Sequence, residues 1–322
     1  MLILFEKYDF VKEDMKKIDD FLLSNIKTSS PTIKKAVEDL VLSGGKRIRP
    51  LLVIAIARLG EYNEDKIIPI AASIEIMHMA TLVHDDIIDD SKMRRGRESV
   101  QSKYGKETAV FTGDFLFSQA FNVIADVISK ENLKLIARGV KAICEGEIEQ
   151  FDNRYNLDIS LLRYLKRIYR KTALLFAISC ESGATQAGLS KEMTRAMRRF
   201  GLNVGIAFQI ADDVLDYEGV EKIVGKPLGS DLLNGIYTLP LIYALGTGHK
   251  KAIEDILQKK ELSKKDVNRV IKEVKLSGGI DFAKDLALKY VKKAIKFLDI
   301  IPDCEQKDLM IDIANDALKR NY

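Results

Sequence analysis

Two acidic segments of the chain hold the residues best suited to chemistry. The stretch LVHDDIIDD and, much further on, the stretch FQIADDVLD both contain the pattern DDxxD. In a helix, Asp85 and Asp89 of the first stretch share one face, as do Asp212 and Asp216 of the second, because each pair is separated by four residues. Gln209 lies about one turn before Asp212 on the same side. Each segment therefore presents several carboxylates on one helical surface.

Both segments lie among apolar residues, where carboxylates without a partner would be costly. A hard cation that prefers oxygen ligands is the natural partner, so the sequence predicts Mg2+, shared with a phosphate group. Asp86 and Asp213 add a further acid to each segment. A lone DDxxD is also typical of a helix-end cap or a solvated face, but its recurrence favours a metal site. A calcium loop is disfavoured, because the mid-loop glycine and the terminal glutamate of an EF-hand are missing.

A basic, glycine-rich segment complements these acids. It reads GGKRIRP and places Lys46, Arg47 and Arg49 beside two glycines, just before a helix that begins near Pro50. Glycine lets backbone amides approach phosphate oxygens, and arginine supplies a planar fork of donors that matches phosphate geometry. The segment predicts an anion pocket, with a solvated basic loop as the alternative.

Further cations accompany the acidic segments. Arg94 and Arg95 follow the first segment, Lys226 follows the second, and Lys171 with Thr172 lies in a helical stretch between them. Acids that hold metal ions and cations that hold phosphates are together what a diphosphate leaving group requires.

His78 lies on the same predicted helical face as Asp85 and Asp89. A zinc site would need further His or Cys ligands, and the whole chain has only three histidines and three cysteines. We therefore interpret His78 as a hydrogen-bond donor to phosphate, and His84 and His249 as structural residues.

The elements that position these residues are predicted to be helices. Apolar residues recur at three- to four-residue spacing along almost the whole chain, and Pro and Gly are sparse, at 6 and 20. Glycine-containing breaks fall at residues 43–45, 94–96, 225–227 and 246–248. The predicted helices cover residues 8–26, 31–42, 50–59, 65–90, 106–130, 132–152, 160–185, 190–217, 231–246, 251–258, 264–275 and 279–320.

The composition is that of a soluble globular protein. The chain has 322 residues, of which 47% are hydrophobic and 30% charged, and its net charge of +4 comes without a basic stripe that would indicate a nucleic acid partner. Three separated cysteines argue against disulfides, and no apolar run approaches the roughly 20 residues of a transmembrane helix. The amino-terminal residues do not resemble a secretory signal. We expect a cytoplasmic protein in which residues 1–322 form one domain.

The motifs, in this order, resemble those of the trans-isoprenyl diphosphate synthase family, the polyprenyl synthetases. They are GGKRIRP, the two DDxxD segments, RRG, GDFLF at residues 113–117, GEIEQ at 146–150 and GKPLGSDL at 225–232. The resemblance covers about residues 40–240. It implies an all-α fold, a single large helical bundle around a central active-site cavity lined by the acidic segments, in a homodimer or in a heterodimer with a small regulatory subunit.

The resemblance also implies roles for individual residues. Those that would hold isopentenyl diphosphate are Lys46, Arg49, His78 and Arg95. Those that would face the allylic diphosphate are Arg94, Lys171, Thr172, Gln209 and Lys226. The leading Mg2+ ligands would be Asp85, Asp89 and Asp212, and the supporting acids, some acting through water, would be Asp86, Asp213 and Asp216.

The implied reaction is a prenyl transfer. Mg2+ and cationic side chains stabilise the departing diphosphate, the isopentenyl double bond attacks the allylic cation, and the released diphosphate takes up a proton. Dipoles near Lys171, Thr172 and Gln209 stabilise the cation. Many relatives carry a lysine where this chain has Ile236, which removes one expected phosphate contact. Longer-chain and two-component synthases resemble this chain in that respect.

Two small residues suggest a long product. Thr81 lies one turn before Asp85, and Ala80 is its neighbour; a bulky aromatic residue there would close the cavity. Because a helix rises about 1.5 Å per residue, small side chains open the next turn, towards Met77, to further isoprene units. We expect a polyprenyl diphosphate of about C30 to C40 on this argument.

Other functions remain open at the level of sequence. The chain would be a shorter-chain farnesyl or geranylgeranyl diphosphate synthase if the cavity floor lies elsewhere, or the catalytic subunit of a heteromeric synthase. A class I terpene cyclase would share the first acidic segment without needing a second diphosphate pocket. A non-catalytic partner subunit would show eroded acidic segments, and both are intact here. Residues 246–322 carry no chemical motif and are interpreted as scaffold.

Overall fold

The computed structural model describes residues 7–219, 228–259 and 261–318, and this part of the chain is almost entirely helical. The helices are α1 Asp9–Ser24, α2 Pro31–Leu42, α3 Ile48–Ala57, α4 Glu64–Ile88, α5 Val100–Tyr104, α6 Lys106–Ala125, α7 Lys130–Asp152, α8 Leu161–Ile168, α9 Leu174–Gln186, α10 Lys191–Glu218, α11 Ser230–Leu233, α12 Leu239–Leu245, α13 Lys250–Leu257, α14 Lys264–Leu276, α15 Gly279–Lys296 and α16 Glu305–Asp316. A five-residue π-helical turn, Tyr169–Ala173, joins α8 to α9. The predicted all-α fold is confirmed.

A short hairpin interrupts the helices after the first acidic segment. Its strands, β1 (Met93–Arg94) and β2 (Arg97–Glu98), pair antiparallel. Arg95 and Gly96 form the turn with φ angles of 51° and 75°, the left-handed conformations that a tight two-residue hairpin turn requires. The predicted break at this place is therefore a hairpin with Arg95 in its turn.

Most predicted helices agree with the observed ones to within a few residues, but three are wrong in their continuity. The predicted helix 160–185 contains the π-helical turn, and the predicted helix 231–246 is divided at Gly235, which has a φ of 69°. The predicted helix 279–320 is divided between α15 and α16 around Pro302, because proline disfavours helical geometry in the residue before it. Apolar spacing continued through all three interruptions, so periodicity alone did not reveal them.

The packing of the chain separates it into two compact units. The first unit comprises Met1–Ala137, Leu175–Arg198 and Leu298–Ile313. Its central helix is α4, which packs against α6, α3 and α1. Among the described residues, only this helix has the length and hydropathy that crossing a membrane would require, and 78% of its most apolar window is buried inside the protein. Packing within the first unit therefore accounts for its apolar side chains.

The second unit comprises Arg138–Leu174, Arg199–Phe297 and Ala314–Tyr322. Its buried core includes Tyr164 of α8 and Tyr217 of α10, both 0% exposed. The two acidic segments thus lie in different units, at the end of α4 and in α10. The prediction that residues 1–322 form one domain stays a prediction.

Candidate active site

Arg47, in the loop before α3, is committed to the protein interior. Its Nη1 donates to Glu75 Oε1 of α4 at 2.7 Å, and its Nη2 donates to the Val41 carbonyl at 3.1 Å. The residue itself has a left-handed φ of 44°. Arg47, the middle cation of GGKRIRP, therefore anchors the loop. Its neighbours Lys46 and Arg49 lie in different surroundings.

Arg49 lies in the first turn of α3 and is held against an aromatic ring. Its side chain is largely buried, and the guanidinium carbon lies 4.5 Å from the centre of the Phe176 ring of α9. A cation stacked on an aromatic face gains electrostatic stabilisation and keeps one orientation. This arrangement presents a planar fork of donors of the kind that matches phosphate geometry. Lys46 is partly exposed in the preceding loop.

The glycine-rich loop and the hairpin meet at Gly45. Arg95 Nη1 donates to the Gly44 carbonyl, and a Cβ atom added to Gly45 would collide with the Arg95 guanidinium. Gly45 also has a φ of 151°, which side chains rarely adopt. Two basic segments that are far apart in the sequence are thereby brought together, as their predicted shared role requires.

His78 is surrounded by positive charges. Burial lowers the pKa of its imidazole well below the ordinary value of 6.5, and the charges of Arg49, Arg95, Arg94 and Arg47 lower it further. His78 is therefore neutral at pH 7 and offers one N–H donor. Because the folded pKa lies below the unfolded one, stability is lost as the pH falls from about 6.5 towards the folded pKa. We call Arg49, His78, Arg94 and Arg95 the basic cluster.

The first acidic segment divides its aspartates between two environments. Asp85 and Asp89 are partly exposed, whereas Asp86 is buried. Arg94 Nε donates to Asp86 Oδ1 at 3.0 Å, and Arg94 Nη2 bonds the same carboxylate. Asp86 and Arg94 therefore tie the hairpin to the end of α4, and Asp85 and Asp89 share the accessible face of that helix.

The second acidic segment shows the same division. Asp212 is partly exposed, and Asp213 and Asp216 are buried. Asp216 Oδ1 accepts hydrogen bonds from the Ser230 backbone N–H and hydroxyl, both at 3.0 Å, and Asp216 Oδ2 accepts from the Asp231 N–H at 3.2 Å. These are N–H groups of the first turn of α11, where an acidic side chain is stabilising. Asp216 therefore holds the segment that follows the second acidic segment.

Asp213 belongs to a chain of hydrogen bonds between side chains. The Tyr164 hydroxyl donates to Asp213 Oδ2 at 2.6 Å, Gln209 Nε2 donates to Asp213 Oδ1 at 2.8 Å, and the Thr172 hydroxyl donates to Gln209 Oε1 at 2.6 Å. Burial raises the pKa of Asp213 to about 6, which leaves it mostly ionised at neutral pH. We call Thr172, Gln209, Asp213 and Tyr164 the amide network.

Lys171 lies in the π-helical turn, a distortion that occurs frequently at functional sites. Its Nζ is 2.8 Å from Glu147 Oε2 in the GEIEQ motif of α7. Gly146 of the same motif permits the close approach, because a Cβ atom there would lie 2.8 Å from the Arg170 Cβ. The motif therefore places a carboxylate beside Lys171, a role that the sequence alone did not indicate.

The two histidines interpreted from the sequence as structural, His84 and His249, both lie within contact distance of protein groups. His84 Nε2 lies 3.3 Å from the Val110 carbonyl and 3.4 Å from Asp114 Oδ1 of the GDFLF motif, and His249 Nδ1 lies 2.7 Å from Glu273 Oε2. These contacts agree with structural roles for both histidines.

Two predicted positions follow the second acidic segment in the sequence. Lys226 lies outside the described residues. Ile236 is buried in the second unit, so a lysine at this position would have to be desolvated.

The two predicted chain-length residues differ in accessibility. Ala80 is 0% exposed, whereas Thr81 is partly exposed and its hydroxyl donates to the His78 carbonyl at 2.8 Å. Thr81 therefore lies on the same accessible stripe of α4 as His78 and Asp85, and Ala80 lies on the packed side.

The aspartates fit a hard cation whose coordination the protein completes only in part. Within residues 7–219, 228–259 and 261–318, no three His, Cys, Asp or Glu side chains form a ready metal site. Mg2+ commonly keeps several waters and takes one or two carboxylates together with substrate phosphate oxygens. Asp85 and Asp89 at the end of α4 and, separately, Asp212 of α10 each offer partly exposed oxygen donors of the type that this mode of binding uses.

Comparison with known proteins agrees with this arrangement. The family model described as polyprenyl synthetase matches residues 30–274. The chain is 38% identical to a heptaprenyl diphosphate synthase component 2 from Geobacillus stearothermophilus, over 98% of each protein, and 32% identical to a geranylgeranyl diphosphate synthase from Methanosarcina mazei, over 100% of each. A solved polyprenyl synthase from Caulobacter crescentus, complexed with calcium and isoprenyl diphosphate, superposes with a TM-score of 0.93 at 35% identity, covering 99% of this chain and 97% of that one.

The predicted resemblance is therefore confirmed over a much longer stretch than the motifs alone covered. The relatives include heptaprenyl, octaprenyl and geranylgeranyl diphosphate synthases, so their names agree on the type of product and differ in its chain length. With the motifs, the all-α fold and the matched family in agreement, the chain belongs to the polyprenyl synthetase family and is a trans-prenyl diphosphate synthase.

Proposed function

We propose that this chain condenses isopentenyl diphosphate with an allylic diphosphate and extends the product to a medium- or long-chain polyprenyl diphosphate, about C30 to C40, because small residues precede Asp85 by about one helical turn. The observation that carries the length is the partly exposed Thr81 on the stripe of α4 that leads to Asp85. The shorter-chain farnesyl and geranylgeranyl synthases are the alternative.

Isopentenyl diphosphate is assigned to Arg49, His78 and Arg95 of the basic cluster, together with Lys46. Support comes from the contact between Arg95 and the glycine-rich loop and from the effect of four arginines on His78. A neutral imidazole beside guanidinium groups donates a hydrogen bond to a phosphate oxygen without adding to their mutual repulsion. Arg49, His78 and Arg95 would then bind the diphosphate of the attacking substrate.

The allylic diphosphate is assigned to the metal-binding aspartates and to Lys171. Asp85, Asp89 and Asp212 would hold Mg2+, which when bound neutralises charge on the leaving diphosphate. Lys171 would contribute a further positive charge, and its present partner Glu147 keeps the ammonium in place. Arg94 and Lys226 are the other proposed contacts to this substrate.

The described side chains also suit the cation that forms when the diphosphate departs. Gln209 Oε1 and the Thr172 hydroxyl are the negative ends of local dipoles, and such preorganised dipoles stabilise developing positive charge. The second substrate attacks this carbon, and the released diphosphate removes the proton. The buried acids Asp86, Asp213 and Asp216 would support these groups by holding Arg94, Gln209 and the start of α11.

A second candidate is the catalytic subunit of a two-component enzyme. The Geobacillus stearothermophilus relative is named as one component of its synthase. On α7, Ile148 and Phe151 lie on the same side and are 63% and 58% exposed, which is typical of a surface that meets another subunit. We propose a homodimer, with a heterodimer that includes a small regulatory subunit as the alternative, and a cytoplasmic location for either.

Product chromatography of the purified chain tests both candidates. With Mg2+, farnesyl diphosphate and isopentenyl diphosphate, the chain alone should produce polyprenyl diphosphates of about C30 to C40, because the small side chain of Thr81 leaves the next turn of α4 open to the growing product. Accumulation of geranylgeranyl diphosphate as the final product would contradict the proposed length. Activity that appears only after a second polypeptide is added would favour the two-component enzyme.

A further inference from the structure

Tyr164 is a buried side chain to which the proposed reaction assigns no role. It lies in α8 with 0% exposure, and its hydroxyl donates to Asp213 Oδ2 at 2.6 Å. Asp213 Oδ1 accepts from Gln209 Nε2 at 2.8 Å. Tyr164 is thus connected to the amide of Gln209 through a single carboxylate.

That carboxylate decides which way the Gln209 amide points. Both oxygens of Asp213 accept hydrogen bonds, one from Tyr164 and one from Gln209, so the amide nitrogen faces Asp213 and the amide oxygen faces away from it. The Thr172 hydroxyl donates to this oxygen at 2.6 Å, in agreement with that orientation. A flipped amide would place its oxygen against the carboxylate oxygen of Asp213. The negative end of the amide dipole is therefore directed towards the π-helical turn.

Tyr164 holds the carboxylate that sets this orientation. The neighbouring cation, Arg167, lies one turn later in α8 and donates its hydrogen bond to the Tyr237 carbonyl, at 2.7 Å. In the part of the chain that the structure describes, the side chains that donate to Asp213 are those of Tyr164 and Gln209. Loss of the Tyr164 hydroxyl would leave one oxygen of a buried carboxylate without its donor and would allow the group to turn.

We infer that Tyr164 is a positioning residue, which fixes Asp213 so that the Gln209 amide oxygen faces the developing allylic cation. This inference rests on the proposed role of Gln209 in the reaction. It differs from a purely structural role, because the effect of Tyr164 on the rate must pass through Gln209.

A double-mutant cycle on the full-length chain tests the inference. Tyr164→Phe should lower kcat roughly 10- to 100-fold, since small displacements of groups around a reacting centre have effects of this size. The KM for isopentenyl diphosphate should stay the same, because the basic cluster makes no use of the amide network. In a Gln209→Leu background, Tyr164→Phe should cause no further loss, because the residue that it positions is gone.

Tyr217→Phe is the matched control. Tyr217 is also 0% exposed in the core of the second unit, and its hydroxyl accepts a hydrogen bond from Thr238 at 3.3 Å. This variant should keep kcat and should lower the melting temperature by less than Tyr164→Phe does, because it leaves no buried carboxylate without a donor. Equal losses of kcat from Tyr164→Phe with and without Gln209 would overturn the inference, as would a lower melting temperature with kcat unchanged.

The cycle also separates this inference from the proposed function. If Gln209→Leu alone kept full kcat, the role of Gln209 and the inference would both be wrong, while dependence of the reaction on Asp85 would still support the proposed chemistry. If Tyr164→Phe did not fold, Asp213→Asn would take its place in the same cycle. A loss of kcat that disappears without Gln209 supports the inference, and an equal loss in both backgrounds overturns it.

Discussion

Asp85→Ala should lower kcat by about 10³-fold or more, because it removes a carboxylate that we propose as a ligand for Mg2+ on the leaving diphosphate. Asp85 lies on the accessible face at the end of α4, which it shares with Asp89. In the proposed reaction, departure of the diphosphate depends on this charge neutralisation. Steady-state kinetics with saturating Mg2+ measures the loss.

Asp90→Ala is the control for this prediction. Asp90 ends the same acidic segment, but its carboxylate is exposed and lies 3.1 Å from the ammonium groups of both Lys92 and Lys106. Exposed ion pairs of this kind contribute little to stability, so the variant should retain both its fold and its activity. A kcat for Asp85→Ala within tenfold of that for Asp90→Ala would contradict the assignment of Asp85.

Thr81→Phe should shorten the final product by several isoprene units while Mg2+-dependent turnover continues. Thr81 lies on the accessible stripe of α4 with His78 and Asp85, so a phenyl ring there would fill space close to the growing chain. Because the ring lies about one turn from the aspartate, it should limit elongation without preventing the first condensation. Chromatography of the products from farnesyl and isopentenyl diphosphates measures the change.

Thr81→Val keeps the size of the side chain and removes the hydroxyl that bonds the His78 carbonyl. It should leave the distribution of product lengths as it is. Ala80→Phe is a less direct test, because Ala80 is 0% exposed and overpacking of a filled core costs about 1–3 kcal/mol. Identical product lengths from the wild-type chain and Thr81→Phe would show that the floor of the cavity lies elsewhere.

The helices could be predicted from sequence because their apolar spacing is regular. One interruption could not be predicted, since the π-helical turn around Lys171 changes the hydrogen-bond pattern while the apolar spacing continues. Gly235 and Pro302 were the signals for the two other breaks. A glycine inside a helical pattern and a proline at the end of an apolar run could have indicated them.

For the acidic segments, too, only part of the arrangement could be predicted from the sequence. Their pattern predicted that carboxylates share a helical face, and Asp85 with Asp89 do so. The sequence did not show which aspartates have protein partners, because those partners come from distant places: Arg94 for Asp86 and Tyr164 for Asp213. Only the three-dimensional fold reveals which donors reach each carboxylate.

Arg47 resembles a binding residue in the sequence but has a structural role in the fold. By type and position it fits a phosphate-binding loop as well as Lys46 and Arg49 do, yet it bonds Glu75 inside the first unit. Nothing in the sequence indicated a role for Tyr164, because a single tyrosine on the apolar face of an amphipathic helix is most simply a core residue. The proposed role of the Tyr164 hydroxyl depends on its hydrogen bond to Asp213, which is distant in sequence.

The central claim is that both acidic segments bind divalent metal together with a diphosphate. Crystals grown with Mn2+ in place of Mg2+ and with inorganic diphosphate test it directly through anomalous scattering. Anomalous peaks should lie about 2.1 Å from carboxylate oxygens of Asp85 or Asp89 and of Asp212, each with further phosphate or water oxygens. Metal peaks that contact neither acidic segment, or that contact only one of them while diphosphate is bound, would contradict the claim.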